Sequence, residues 1–323
     1  MLKKMSIRKI MVSSLALFVL LLLYLIPDNT SRELEVKTDD IEYVYSDLVS
    51  PIYLLDSNDY IARTTISTCD CNIVEKATNL IDGLIIDGKK NEIIPNGFKA
   101  IIPAGTSVND ISLEDKVLTI DFSKELLDIN ERYEEKMIES LIFSLTSIDG
   151  IDKVIINVDG KRLERLPISG KILPTLFDKS YGINKIYDIT SMKNIDSYTV
   201  YYVSKNNDNI YYVPITKYVN KQKDDKIKVI VDELASAPIY ETNLISYLNG
   251  NTKLINYEII EDDIIRLNFN NYILDDIKGN KILEEVIYTI SLSIKDNYTD
   301  IREVDFLVED EEIYKKVEKN FNK

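Results

Sequence analysis

The sequence predicts an α+β protein of two tandem two-layer domains, each with the element order β-β-α-β-β-α-β, behind an N-terminal transmembrane helix. Three observations indicate this class. Residues 10–26 form an apolar run. Each half of the chain contains strand patterns with a period of two residues. Each half also contains two amphipathic helical stripes. The length of 323 residues is enough for two domains of ordinary size.

The N-terminus combines a basic segment with the apolar run. Residues 1–9 carry four basic side chains and no acidic one, and residues 10–26 are apolar apart from two serines. A helix of this length reaches the lower limit for crossing a bilayer, and positive charge stays on the cytoplasmic side. We therefore expect a cytoplasmic segment (1–9), a single-pass anchor in the cell membrane (10–26) and extracytoplasmic domains. A cleaved signal peptide is the alternative, although Pro27 follows the run where a small-residue cleavage site would lie.

Each predicted unit starts with two short strands and a helix. The strands fall at 52–55 and 60–66 in the first unit and at 199–203 and 210–215 in the second. The helix that follows places apolar residues at helical spacing. These residues are Ile73, Ala77, Leu80 and Leu84 in the first unit and Ile227, Ile230, Val231 and Leu234 in the second.

A hairpin, a second helix and a last strand complete each unit. The hairpin has an acidic turn at 113–116 or 260–263, and its return strand alternates apolar and polar residues. The apolar residues of the return strands are Leu118, Ile120 and Phe122, and Ile265, Leu267 and Phe269. The second helices carry the stripes Met137, Leu141, Leu145 and Ile148, and Leu283, Val286, Ile287, Ile290 and Ile294. The last strands lie at 154–158 and 304–308.

Five strands and two helices predict one sheet per unit, with both helices on the same face. The first domain is placed at 38–170 and the second at 196–323. A linker rich in turn residues, 171–195, lies between them.

Composition restricts the chemistry that the chain could perform. The net charge of −15 and the pI near 4.7 argue against nucleic-acid binding, which needs a basic surface. The absence of His removes Ser-His-Asp and Cys-His catalysis and His-ligated metals. Two Cys cannot form a four-thiolate metal site. Any enzyme chemistry that remains would have to use carboxylates, Lys, Tyr or Ser. Since the two units repeat a fold without repeating its polar residues, we expect a protein that is not an enzyme and that holds no cofactor.

The two cysteines, Cys69 and Cys71, are two residues apart near a helix start. On an extended segment they would point to the same face, with Cα atoms near the upper limit for a disulfide. A mutual but strained disulfide is one interpretation, and two small, half-buried unpaired residues is the favoured one.

Three motifs of the first unit resemble the GerM (GerMN) domain of the sporulation and spore germination family of Gram-positive bacteria. They are a P-x-G-T turn at 103–106, a strand ending in D-F-S at 121–123, and a last strand that ends in V-D-G at 158–160. The family-motif positions are Pro103, Gly105, Thr106, Asp121, Phe122, Ser123, Asp159 and Gly160. In the second unit these motifs are replaced by residues 249–252, 268–270 and 308–310.

The resemblance implies a tandem GerM protein that is extracytoplasmic and membrane-attached. Proteins of this family are not known as enzymes and are regarded as scaffold or binding modules, some of them in sporulation. Many members are lipoproteins, and this chain has no Cys near the end of its apolar run.

Several patterns could suggest chemistry but are better explained by structure. Residues 83–90 nearly match G-x-x-x-x-G-K, yet they follow a predicted helix, whereas a phosphate loop follows a strand, so we expect no nucleotide. Asp121 and Asp159 could form an acid–base pair, but the second unit has Asn268 and Glu309 there. The acidic clusters at 261–263 and 309–312 lack calcium-loop spacing.

Tyrosines are concentrated between residues 198 and 218. Aromatic faces on a strand pair can stack on sugar rings or anchor a protein partner. The candidate interaction face consists of Tyr201, Tyr202, Tyr211 and Tyr212. Adjacent tyrosines on a strand point to opposite sheet faces, so some of these rings are expected in the core.

These observations favour a membrane-anchored, extracytoplasmic, non-catalytic scaffold or binding protein in sporulation or cell-envelope assembly. Its expected partner is an envelope protein or peptidoglycan. A peptidoglycan- or glycan-binding module that uses the four tyrosines is the alternative, and an envelope hydrolase that uses carboxylates is the second alternative.

Overall fold

The computed structural model describes residues 49–206, 209–221, 225–236, 243–275 and 281–314. The predicted cytoplasmic segment (1–9) and anchor (10–26) lie outside these ranges. Among the residues that it describes, no helix has the length and apolar character needed to cross a membrane.

The first half contains its strands and helices in the predicted order, with two additional short strands. Its elements are β1 (Val49–Asp56), β2 (Ile61–Ser67), α1 (Ile73–Leu84), β3 (Phe98–Lys99), β4 (Val108–Glu114), β5 (Val117–Phe122), α2 (Glu131–Leu145), β6 (Lys153–Val158) and β7 (Lys161–Arg162). Asn72 and Asn130 cap the two helices by accepting hydrogen bonds from backbone N–H groups of the first turn.

The second half repeats the order β-β-α-β-β-α-β after one short strand. Its elements are β8 (Ile186–Asp188), β9 (Ile195–Asn206), β10 (Asn209–Asn220), α3 (Lys226–Ala235), β11 (Leu254–Ile260), β12 (Ile264–Phe269), α4 (Glu284–Asn297), β13 (Glu303–Val308) and β14 (Glu311–Tyr314). The α+β class is therefore confirmed, and β3, β7, β8 and β14 are short strands that the sequence patterns did not indicate.

The arrangement of sheets differs from the prediction of one five-stranded sheet per unit. Within the described residues, β4-β5-β6-β7 and β11-β12-β13-β14 form separate four-stranded sheets. The hairpins β1–β2 and β9–β10 of the two halves instead share one six-stranded sheet with β3 and β8. In the shared sheet, β10 meets β2 at a single position, Tyr212 opposite Arg63.

Helical side chains explain why the hairpins do not join the four-stranded sheets. The outer edge of β1 faces α2, where the Ser144 Oγ accepts from the Tyr53 N–H at 2.9 Å and the Ser140 hydroxyl donates to the Tyr53 carbonyl. The outer edge of β9 faces α4 in the same way, and the Ser293 Oγ accepts from the Tyr201 N–H at 2.9 Å. Since these backbone groups are satisfied by a helix, no strand pairs with them.

The acidic turns 113–116 and 260–263 are tight hairpin turns. Asp115 and Lys116 have φ of +46° and +63°, and Glu261 and Asp262 have φ of +53° and +63°. Two successive residues with positive φ match the right-handed twist of the adjoining strands.

Each half has its own apolar core, and the segment between the halves is part of both. Phe122 and Phe143 are fully buried in the first core, and Phe269 and Phe306 in the second. Residues 171–195, predicted as a linker, are folded: the Phe177 backbone pairs with Val154 of β6, and β8 runs parallel to β10. We call residues 171–195 the connector.

Candidate functional site

The four tyrosines of the predicted interaction face do not form a surface. Tyr201, Tyr202 and Tyr211 are at most 4% exposed, and Tyr212 is half-buried with its ring 5.4 Å from that of Tyr288. The interpretation of these rings as an exposed face is therefore corrected. Strand β9 is covered on both sides, because Tyr201 belongs to the first core and Tyr202 to the second.

Tyr201 lies instead in a buried polar cluster between the halves. Its hydroxyl is 2.7 Å from that of Tyr53, which occupies the matching position of β1. The Tyr201 hydroxyl also donates to Asp296 of α4, and Asp296 forms an ion pair with Lys179 of the connector. We call Tyr53, Tyr201, Asp296 and Lys179 the seam cluster.

Burial governs the protonation of the seam cluster. Burial, followed by the nearby Asp296 carboxylate, raises the pKa of Tyr201 well above its usual value and also raises the pKa of Tyr53. Burial opposes the charge of Lys179, but Asp296 outweighs it and the pKa of Lys179 is raised. All of these shifts favour the protonated phenols and the charged amine, so the cluster is a structural network near neutral pH.

Asn184 of the connector joins the hairpins of the two halves. Its Oδ1 accepts from the Ile61 N–H at 2.9 Å, and its Nδ2 donates to the carbonyls of Ile61 and Pro214 at 2.7 and 2.8 Å. Its own N–H donates to the Glu139 carboxylate of α2 at 2.9 Å. One side-chain amide thus links β2 to β10 beside their single point of pairing.

Two other tyrosines of the predicted face, Tyr211 and Tyr202, each bind a carboxylate. The Tyr211 hydroxyl donates to Asp56 Oδ2 at 2.9 Å, which connects β10 with the end of β1. The Tyr202 hydroxyl donates to Glu233 Oε1 of α3 at 2.7 Å, and Lys217 forms an ion pair with the same carboxylate. The two tyrosines therefore connect strands and a helix through their hydroxyls, and their rings pack in the cores.

The P-x-G-T positions hold a turn. The Thr106 hydroxyl donates to the Pro103 carbonyl at 2.7 Å, and Gly105 has a φ of +81°, a backbone conformation that favours glycine. The Ser123 hydroxyl oxygen accepts from the Ser107 N–H at 3.0 Å and so fixes the start of β4 beside the end of β5.

The D-F-S and V-D-G positions stabilise strand ends. Asp121 Oδ1 accepts from the Gly160 N–H at 2.8 Å, Asp159 and Gly160 both have positive φ, and Phe122 is fully buried. In the second half, Asn268 donates to Asp310 Oδ1 at 2.7 Å and accepts from the Asp310 N–H at 3.1 Å. Asp121 and Asn268 thus have the same structural role, since each binds the turn that follows the last long strand of its half.

The other patterns also have structural explanations. Residues 83–90 begin in the last turn of helix α1 and continue beyond its end, and a Cβ at Gly88 would lie 2.3 Å from the Asp82 carbonyl oxygen. Cys69 and Cys71 form a disulfide with Cα atoms 5.2 Å apart, so the favoured interpretation of two unpaired cysteines was wrong. The segment is not extended there, which brings the Cα atoms closer than the strand spacing predicts. Among the described residues, the sulfurs lie near Glu75 in a group of potential metal ligands, but bonded sulfurs are not thiolates.

An open groove of about 340 Å³ runs along the connector. Its aromatic side consists of Tyr181, Tyr187 and Tyr218, with the rings of Tyr187 and Tyr218 stacked at 4.9 Å. Its cationic side consists of Lys171 and Lys185. Tyr187 is 59% exposed, so one face of its ring is accessible. We call this feature the connector groove.

A shared carboxylate orders the cations of the connector groove. Glu135 of α2 accepts from Lys171 and Lys185, each at 2.6 Å. Burial opposes the charge of Glu135, but the two lysines outweigh it and lower its pKa. The Lys185 amine also lies 3.5 Å from the centre of the Tyr181 ring.

The tyrosine hydroxyls of the connector groove are affected by burial. The buried Tyr181 hydroxyl has no hydrogen-bond partner among the described residues. Burial first, and then nearby acidic and phenolic groups, raises the pKa of Tyr218 to about 12.

Sequence patterns did not indicate the seam cluster, Asn184 or the connector groove. Their residues are brought together by contacts between the halves, for which alternation and helical stripes carry no signal. One signal was available, namely a serine inside the apolar stripe of the second helix in each half (Ser144 and Ser293).

Comparisons with known proteins agree on one family. The family model described as "Germane: Sporulation and spore germination" matches residues 51–164 and 199–314. The chain is similar to "Spore germination protein GerM" of Bacillus subtilis (strain 168), with 31% identity over 255 residues, which are 77% of this chain and 68% of that protein.

A solved structure of tandem domains agrees with this family. "Tandem GerMN domains of the sporulation protein GerM from Bacillus subtilis" matches with a TM-score of 0.74 and 28% identity, covering 84% of this chain and 94% of that one. The first GerMN domain of that protein, solved alone, is 28% identical and covers 41% of this chain and 98% of its own, with a TM-score of 0.39.

Proposed function

The chain belongs to the sporulation and spore germination (GerMN) family, and on that premise we propose that it is a membrane-anchored, extracytoplasmic, non-catalytic scaffold. It acts in sporulation or in assembly of the cell envelope. The observation that carries the proposal is the tandem fold itself, in which matching polar positions of the two halves, such as Asp121 and Asn268, hold strand ends together.

The contact between the two halves supports a role in positioning other molecules. Asn184, the seam cluster and the connector fix the two halves together through side-chain bonds that neither half makes alone. A scaffold benefits from such a rigid pair of modules, because binding then loses less conformational freedom. The apolar run 10–26 would supply the anchor, and residues 27–48 would supply the spacer between the anchor and β1.

The proposal is tested by replacing the chromosomal gene in the bacterium that encodes this chain. The complementing forms are the full chain, residues 27–323 alone, and residues 27–323 behind an unrelated single-pass anchor of the same orientation. We expect deletion to lower the yield of heat-resistant spores, or the resistance of growing cells to lysis, at least tenfold. The unrelated anchor should restore the wild-type value, and the form without an anchor should not.

Two outcomes contradict the proposal. Full activity of the form without an anchor refutes membrane anchoring, and a deletion with no defect in either assay refutes the role. The non-catalytic part is checked by incubating the purified protein with peptidoglycan and analysing the released fragments. Release that disappears on a single carboxylate substitution would show an enzyme.

A second candidate function, glycan binding, is favoured by the exposed Tyr187 ring. The ring is held flat against Tyr218 at the rim of the connector groove, an arrangement on which a sugar ring can stack. The test is co-sedimentation with purified cell wall, comparing wild type with Tyr187→Ala. The matched control is Tyr272→Ala, which removes another exposed ring (45%) far from the groove residues in sequence. Equal sedimentation of the two variants and wild type eliminates the candidate.

A further inference from the structure

Strand β11 ends the four-stranded sheet of the second half. Within the described ranges, β12 is its one pairing partner. Among the described residues, no backbone hydrogen bond from outside this sheet reaches residues 255–259. An unpaired strand edge of this kind is a template for a further strand.

The exposed side chains of β11 are unusually apolar. Ile255 is 53% exposed, Tyr257 36% and Ile259 50%. Tyr257 and Ile259 lie directly opposite Leu267 and Ile265, which are fully buried. Residues opposite each other in an antiparallel pair share a sheet face. The core-facing side of the sheet therefore continues onto β11. Among the described residues these side chains stay exposed there, apart from the Tyr257 hydroxyl, which donates to Asp225 Oδ2 at 2.7 Å.

The first half provides an internal comparison. Ile111 and Leu113 of β4 lie opposite Ile120 and Leu118, so they occupy the positions of Tyr257 and Ile259. Both are half-buried and pack against the first core. The fold can therefore cover this strip, whereas the described part of the second half leaves it exposed.

Edge strands that remain unpaired usually carry protective features such as lysine, proline or inward charge. Strand β11 has the sequence LINYEII, which contains neither lysine nor proline. Its one charged residue, Glu258, is bound at 2.8 Å by Arg266 of β12. A shift of register between Leu254 and Asn256 is confined to the start of the strand.

We propose that β11 pairs with β11 of a second copy of this chain, in an antiparallel arrangement about a twofold axis at Tyr257. Symmetry then places Ile255 opposite Ile259 of the other copy and Asn256 opposite Glu258. Lys253, just before the strand, then comes near Glu261 in the turn that follows β11 of the other copy, and this contact occurs twice. Both Lys253 and Glu261 are exposed, and neither has an ion-pair partner among the described residues.

The charge complementarity and the apolar pairs select a second copy over an unrelated strand, because one register satisfies both. An isologous contact of this type closes on itself and forms a dimer, not a fibre. The two four-stranded sheets become one continuous eight-stranded sheet. This dimer goes beyond the proposed function, which requires only one chain.

A charge exchange tests the register. The experiment uses sedimentation equilibrium of residues 46–323, which form one compact unit, over a range of concentrations. Lys253→Glu should place two pairs of like charges across the axis and weaken the dimer at least tenfold, and Glu261→Lys should do the same. The double variant restores both pairs and should return the dimer to within about threefold of wild type. The matched control is Glu114→Lys, which alters the corresponding end of β4 and should leave the dimer unchanged.

A cysteine crosslink tests the axis in the full chain within membranes. Tyr257→Cys brings two thiols to directly opposed positions, whose Cα separation of about 4.5–5.5 Å permits a disulfide. A crosslinked dimer is expected for Tyr257→Cys and none for Ile111→Cys, the equivalent position of the first half. Adding Lys253→Glu should reduce the crosslink, and adding Glu261→Lys as well should restore it. A chain that is monomeric at about 0.1 mM, a double variant that is not rescued, or a crosslink to a different protein would each overturn the proposal.

Discussion

Replacing Asn184 should lower the stability of the protein, because its side-chain amide forms hydrogen bonds with three backbone groups on two strands. We predict that Asn184→Gly lowers the free energy of unfolding of residues 46–323 by about 3 kcal/mol. The substitution leaves the Ile61 N–H, the Ile61 carbonyl and the Pro214 carbonyl without their present partners. Ile61 and Pro214 are buried, and each lost bond costs about 1 kcal/mol.

Two further substitutions separate the hydrogen bonds from the backbone conformation. Asn184 has a φ of +46°, which glycine accepts and which costs alanine about 1 kcal/mol more. Asn184→Ala should therefore be less stable than Asn184→Gly by that amount. Asn184→Asp keeps the acceptor for Ile61 but turns the donor toward two carbonyls into an anion, so it should be at least as damaging as glycine.

Urea unfolding followed by circular dichroism measures these differences, with the slope m compared among variants. A loss of less than about 1 kcal/mol in Asn184→Gly would refute the reasoning, because the bonds between β2 and β10 would then be replaceable by water. A second transition in the variant is the other informative result, since it would show the halves unfolding separately.

Three other predictions concern the seam and the strand ends. Asp296→Asn should lower the unfolding free energy by about 3 kcal/mol in urea melts, because Lys179 then lies buried without its anion; a loss below about 1 kcal/mol would argue that water reaches the amine. Stability should fall as pH rises above about 10, because the buried Tyr201 phenol has a raised pKa in the folded state and ionises near its usual value once unfolded; a flat profile from pH 9 to 11.5 in urea melts would contradict this. Asp121→Ala should cost about 1 kcal/mol through loss of the bond from Gly160 while leaving complementation of the deletion strain unchanged; loss of complementation with a normal melting curve would point to a chemical role.

The elements of the fold could be predicted because each depends on local pattern. Leu118, Ile120 and Phe122 alternate in the sequence, and all three side chains are fully buried. The paired positive-φ residues Asp115 and Lys116 lie at the turn that the acidic residues marked. Alternation specifies which side of a strand is buried, and a turn specifies where the strand ends.

The pairing of strands and the exposure of rings could not be predicted in the same way. Tyr201 and Tyr202 point to opposite sides of β9, as their adjacency requires, yet both are buried because each side is covered by a different core. The period of a strand does not say whether its second face meets water or another half of the protein. The site residues Asn184 and Asp296 depend on the same long-range contact.

The folded connector has a mechanical consequence. The Phe177 backbone pairs with Val154 of the first half, and β8 pairs with β10 of the second half. Among the described residues, the connector therefore contains no flexible segment between these two attachments. A pulling force applied to one end of the chain therefore cannot extend a flexible segment between the halves. The force acts directly on the hydrogen bonds of Asn184 and Val154. The two halves should therefore behave as one mechanically rigid unit. Single-molecule stretching should show both halves unfolding in one event, not in two successive events.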